Sequence, residues 1–239
     1  MKCMNTIIDW ANANAGFVAI VLFVGSILAA WVSGVFRSIF KGPLKKPKFE
    51  IKILDGPTLC STFSCDNEFN NYVTHRTAIS LYVEITNIGS AAASIDKVKV
   101  GYHWNLRPFS WLWVKYRIFW FWLKDMITSM DDFQYEFEKH KKIFPHLLQM
   151  TYATNEKPKN YIEVGQKTSG VVYFEQKESW GGSFPVSHNG KVKLKICVND
   201  TFGRSYKKVF WAPCVDVEEA RKYNPSFGNT YSTVLKNKT

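Results

Sequence analysis

The sequence predicts a mainly β protein: an immunoglobulin-like antiparallel β-sandwich with an inserted helical hairpin, preceded by one transmembrane helix. Three observations carry that expectation. A long stretch near the start is apolar and uncharged. Most of the remaining chain alternates apolar and polar residues with period two. Between two alternating stretches lies a segment crowded with tryptophan and phenylalanine.

From Trp10 to Phe36 no side chain is charged. The core of this run, Ala15 to Phe36, is about 22 residues, or about 33 Å as a helix, enough for a hydrocarbon layer of roughly 30 Å. Backbone groups in lipid must be satisfied within the segment, which forces a helix. Trp10 and Trp31 lie near its ends, where indole rings favour the headgroup level. Residues 1–14 form a short tail with Lys2 and Asp9, whereas Arg37, Lys41, Lys45, Lys46 and Lys48 come after the span. Basic residues stay on the cytoplasmic side, so the expected topology is N-terminus outside and main body in the cytoplasm, at the inner membrane. A cleaved signal peptide has a short basic start and a shorter apolar core, neither of which is present. The basic linker, residues 37–46, carries Gly42 and Pro43, which stop the helix. Its charges, with Lys48, act as a topology signal and suit anionic lipid, at about 1 kcal/mol per Lys or Arg.

The body is expected over residues 47–213. In Lys48–Ile53 the residues Phe49, Ile51 and Ile53 alternate with Lys48, Glu50 and Lys52, and Asp55-Gly56-Pro57 marks a turn. Ile79, Leu81, Val83 and Ile85 alternate with polar neighbours up to Asn87-Ile88-Gly89. Val98, Val100 and Tyr102 repeat the pattern. So do Val192, Leu194, Ile196 and Val198, set against Lys191, Lys193 and Lys195. Such alternation marks strands with one buried face, and several short strands between turns suggest two packed sheets. The Asn-Ile-Gly turn, the Glu163-Val-Gly-Gln step and the Val198-x-Asp200-x-x-Gly203 hairpin are similar to those of bacterial immunoglobulin-like and fibronectin-like modules. A lipocalin-like barrel or a jelly roll is the alternative architecture.

The insertion, at about 105–150, breaks the alternation. Trp111, Trp113, Tyr116, Phe119, Trp120 and Trp122 are interleaved with Lys115, Arg117 and Lys124. Helical spacing puts Leu112, Tyr116, Phe119 and Leu123 on one face with Trp111, Ile118 and Trp122. That makes an imperfectly amphipathic helix, with Lys115 snorkelling. Three placements are open: in the membrane interface, over an end of the sandwich, or in a contact between subunits. A second helix is expected over Ser129 to Phe144. Ser129 is its cap, Asp131 and Asp132 open it, Lys139, Lys141 and Lys142 close it, and Phe133, Phe137 and His140 share a face. Residues 214–239 read as a tail with a brief helical turn.

The composition bounds the function. Lys+Arg number 31 against 20 Asp+Glu, a formal charge of +11, and the linker cluster gives part of that excess a membrane role. No phosphate-loop, dinucleotide, nucleophile-elbow or zinc-protease motif occurs, so no enzyme and no cofactor is expected. Cys60, Cys65, Cys197 and Cys214 are spaced poorly for a metal. In the cytoplasm they stay reduced; outside it Cys60–Cys65 is the disulfide candidate. The Lys191–Lys195 stripe lacks stacking aromatics at the right offset, so nucleic acid is not an expected partner. The expected partners are the bilayer, a protein and a second copy of the chain. Two functions are therefore carried forward: a membrane-anchored binding or scaffolding module, and a membrane-perturbing effector, of the kind used in bacterial antiviral defence, activated by ligand or oligomerisation.

Overall fold

The computed structural model describes residues 10, 12–33, 45–69, 71–138, 140–149 and 160–229. The chain divides into two units, Met1–Lys45 and Lys46–Thr239. In the first, helix α1 spans Ala15–Val32 with no buried residue. It is long and apolar enough to cross a membrane. The expected last turn, residues 34–36, and the linker's Arg37 and Lys41 lie outside the described residues.

The second unit is an antiparallel, mainly β body. Its first sheet is organised by one long strand, β3 (Tyr72–Asn87). One edge of β3 carries β1 (Phe49–Ile53) and β2 (Leu59–Phe69) in line, and the other carries β9 (Lys167–Glu175). Asp55-Gly56-Pro57 therefore does not reverse the chain. It is a bulge between β1 and β2, which both run antiparallel to β3. Leu54 N–H donates to Tyr82 O at 2.9 Å, and Tyr82 N–H donates to Thr58 Oγ1 at 3.0 Å. The second sheet is centred on β4 (Ala93–Tyr102) and β11 (Lys191–Asp200). Strand β12 (Ser205–Pro213) lies along the free edge of β11, and the short β5 (Phe121–Leu123) and β8 (Tyr161–Ile162) along that of β4. Strand β10 (Ser187–His188) continues the line of β4 along β11. The two sheets share one core, including Leu81, Val83, Val100, Leu194 and Ile196. This strand order is compatible with an immunoglobulin-like sandwich.

The expected helix over Ser129–Phe144 is a β-hairpin instead, β6 (Phe133–Phe137) and β7 (His140–Phe144), with Phe133 paired to Phe144. The charge order that suits a helix dipole contributes only about 0.3–1 kcal/mol. The alternating aromatics of Phe133-Gln-Tyr-Glu-Phe137 prefer a pleated strand. What decides the contest is tertiary. Phe133 and Phe144 join Leu59, Val171, Tyr173, Ala220 and Phe227 in a second core on the outer face of the first sheet.

The tail is likewise structured as far as Asn229. After α3 (Val217–Arg221), the buried Asn224 donates from Nδ2 to Ser129 Oγ at 2.8 Å and to Asp131 O at 2.7 Å. Gln134 N–H donates to Tyr223 O at 2.7 Å. Gly228, at φ +79°, packs so closely on Phe63 that a Cβ would sit 2.6 Å from its ring. The hairpin and the C-terminal segment thus cover the first sheet together.

The start of the body is clamped rather than tethered loosely. Asn87 is fully buried. Its Nδ2 donates to Ala91 O and Ile162 O, and its Oδ1 accepts from Gly89 N at 3.0 Å. Ser90 N–H donates to Lys46 O at 2.9 Å and Ile88 N–H to Lys48 O at 2.8 Å. A Cβ on Gly89 would lie 2.4 Å from Lys46 O. The Asn-Ile-Gly turn is therefore fixed by backbone approach.

The second core is open to two measurements. Phe133→Ala removes a fully buried ring from it and should cost about 3–5 kcal/mol in urea unfolding. His146 packs edge-on to Phe133 at 5.7 Å, and neither ring nitrogen has a hydrogen-bond partner among the described residues. Burial lowers its pKa from 6.5 against the opposing pull of Asp132. A lowered folded pKa means that the unfolded chain binds the proton first, so stability held above pH 6.5 is lost as pH falls toward the folded value. Urea midpoints should drop on acidification below pH 6.5, and His146→Leu should flatten that slope without abolishing it. His75, whose pKa burial also lowers, contributes in the same direction.

Candidate functional site

The aromatic segment after β4 does not form one long helix. It makes α2 (Trp111–Ile118) and then pairs as β5. Ser110 caps the helix, its Oγ accepting from Trp113 N–H at 3.1 Å. Phe119 ends it in extended conformation. The stop is set by the next strand: Trp122 pairs with Gly101, where a Cβ would lie 3.1 Å from the indole. A glycine under a cross-strand tryptophan holds β5 in register.

This break divides the nine residues expected to share one interface. Trp111 and Phe119 are 80% and 64% exposed, with Phe109 and Ile118 at 89% and 65%. Lys115, Arg117 and Lys124 are exposed as well. Trp113, Tyr116, Trp120 and Trp122 are half-buried. Tyr116 packs tilted against Trp104 at 4.3 Å, and Trp120 lies 4.1 Å from the His103 ring, with Lys195 Nζ 5.1 Å from its own centre. Tyr116 and Trp122 thus face the sheet, not the apolar outer face on which helical spacing placed them.

Between α2 and the outer face of the second sheet lies a recess of about 640 Å³. From α2 come Trp113 and Arg117, the guanidinium stacked on the indole at 4.5 Å. From the sheet come Lys193 and Trp211, paired across β11 and β12, and His188, edge-on to Trp211 at 6.1 Å. The floor is the continuation of β4. Val186 N–H donates to His103 O at 3.0 Å and Asn105 N–H to Phe184 O at 2.9 Å. His103 Nδ1 donates to Tyr116 O at 2.6 Å, which fixes the ring between the floor and α2. No Asp or Glu among the described residues lines the recess. The lysine stripe has its aromatic neighbours after all, but they come from β12 and the α2–β5 turn, far away in sequence.

Of the juxtamembrane set, Lys45, Lys46 and Lys48 are exposed. Lys46 and Lys48 flank a second, shallow recess with Arg204 and Tyr206. Among the described cysteines, Cys60 and Cys65 lie on one strand, five residues or roughly 17 Å apart, too far for a disulfide. Cys60 instead neighbours Cys214 across an isolated bridge. Burial, helped by that second thiol, pushes the Cys60 pKa well up and leaves it protonated and inert.

One hydroxyl–imidazole contact was not legible in the sequence: Ser179 Oγ lies 3.1 Å from His75 Nε2. Gln176 Nε2 also donates to Ser179 Oγ at 3.1 Å and to Ser183 O at 3.0 Å. The group ties residues 176–183 to β3 and lies outside both recesses.

No family model matches the chain, and no curated protein does. Among solved structures it is similar to a Bordetella pertussis protein provisionally called ApaA. The identity is 10% over 72% of this chain and 98% of that one, with a TM-score of 0.26. A second protein, Northeast Structural Genomics Consortium target SoR45, matches at 11% identity over 70% and 86% of the two chains, with a TM-score of 0.22.

The recess depends on a close backbone contact behind its floor, where a Cβ on Gly182 would sit 1.8 Å from Asn105 O. Gly182→Ala should therefore displace Asn105 and cost about 1–3 kcal/mol in urea unfolding.

Proposed function

We propose that the chain is a membrane-anchored, non-enzymatic binding or scaffolding protein whose β body engages a partner beside the bilayer. The anchor is α1. The basic residues after it support an N-terminus outside and a cytoplasmic body at the inner membrane. One observation carries the reading: Phe109, Trp111, Ile118 and Phe119 form an exposed apolar ridge around α2, next to exposed Lys115. A solvated loop gains nothing from four such side chains. In the membrane interface their burial is favourable at about 25 cal/mol per Å² and the lysine reaches the headgroups.

The effector reading draws support from a single feature. The ridge and the recess share α2, so a ligand in the recess touches the element that carries the ridge. The fragment 46–239 holds both hydrophobic cores and is the unit to test. It should float with vesicles of phosphatidylcholine and phosphatidylglycerol. The triple change Trp111→Ser, Ile118→Ser and Phe119→Ser should lower flotation at least about tenfold while leaving the urea midpoint in place. Flotation unchanged by the triple change would remove the ridge as the contact, and no flotation of the unmodified fragment would remove the bilayer as a partner of the β body. Release of trapped dye by the full chain at modest density would favour the effector over the module.

A further inference from the structure

We infer that the recess between α2 and the second sheet is a binding site for a nucleoside monophosphate. Its volume of about 640 Å³ falls in the range of small-molecule sites, roughly 300–1,000 Å³. Two of its features point to two parts of one ligand.

The first is charge. Two basic side chains, Arg117 on α2 and Lys193 on β11, line the recess. Neither has an ion-pair partner among the described residues. Two unneutralised charges on separate elements match a phosphate monoester dianion, whereas a monocarboxylate would leave one of them uncompensated. Arginine offers a planar fork to phosphate oxygens and lysine a point charge. His103 and His188 add further polar nitrogens to the same lining.

The second is the π surface. Trp104, Trp113 and Trp211 all line the recess. Trp113 carries Arg117 against one side, and Trp211 is half exposed with His188 at its edge. Stacking of a base on an aromatic side chain contributes about 1–3 kcal/mol and tolerates any base. A bare phosphate or a glycerophosphate headgroup would leave the indoles uncovered, and an uncharged nucleoside would leave the cations unmatched. The site therefore asks for ring and anion together. The inference rests on the recess alone and holds whether or not the ridge meets lipid.

The test uses the full chain in detergent micelles, titrated by calorimetry with AMP, GMP, CMP and UMP, their uncharged nucleosides, inorganic phosphate and glycerol 3-phosphate. At least one nucleotide should bind saturably with a Kd below about 1 mM. Its nucleoside, phosphate and glycerol 3-phosphate should each bind at least about tenfold more weakly. Lys193→Gln and Trp211→Ala, both at exposed positions, should each weaken the nucleotide about tenfold, and Trp211→Phe should recover part of the loss. Lys141→Gln, on the distant hairpin, should change nothing. The inference is overturned if none of the four nucleotides saturates, or if glycerol 3-phosphate or a free nucleoside binds as tightly as the nucleotide. The ligand comparison on the unmodified chain decides the matter even if a variant fails to fold.

Discussion

Strands β3 and β9 carry buried side chains on both faces, and this double burial dictates the rest of the body. From Gly170 to Glu175 every side of β9 is covered, as is β3 from Thr77 to Leu81. A two-layer sandwich can hide only one face of a sheet. The second sheet takes the inner face, and β6–β7 with the C-terminal segment must take the outer one. The buried polar groups obey the same logic. Arg76 and Glu175 pair at 2.7 Å between the layers. Tyr173 donates to Glu175 and accepts from Gly228 N–H at 2.8 Å. Burial still holds the Glu175 carboxyl above its usual pKa, against the pull of both partners. Removing one member would strand a charge in the interior, a much larger cost than the pair contributes.

Much of this was readable from the residues. Strict alternation located β1, β4 and β11 because each has one wet face. It also found the later part of β3, from Ile79 to Ile85. It placed a strand at Thr168–Gln176 as well, but said nothing of a second dry face there. Val171-Val172-Tyr173-Phe174 shows no alternation, and that uninterrupted apolar run was the available sign of a third layer. The hairpin β6–β7 was misread because its charges and the Phe133, Phe137, His140 spacing satisfy a helix locally. Only the sheet beneath it makes a strand pair better. The bulge at Gly56 had a comparable ambiguity: Asp-Gly-Pro usually turns a chain, but here a ring of Phe144 closes over the glycine.

The recess was the least legible part. The aromatic neighbours of the lysine stripe, Trp211 beside Lys193 and Trp120 beside Lys195, lie about ninety positions apart in sequence and reach the same strand only through the fold. Composition signalled an aromatic and basic segment, but a periodic reading extended the helix through Leu123 and merged two roles. Pairing of Trp122 over Gly101 separates them. The outer residues of α2 remain in contact with solvent, while the inner ones build a wall. One short helix thus presents different chemistry on its two sides.

The covering of the first sheet has a consequence for synthesis. Strand β3 is complete at residue 87 and β9 at residue 175, yet Phe227 and Gly228, which close the outer face, are translated last among these parts. A nascent polypeptide therefore carries an uncapped greasy surface for more than fifty codons after its sheet has paired. At roughly 5–20 residues per second that interval lasts seconds, a window in which ribosome-associated chaperones have an obvious client.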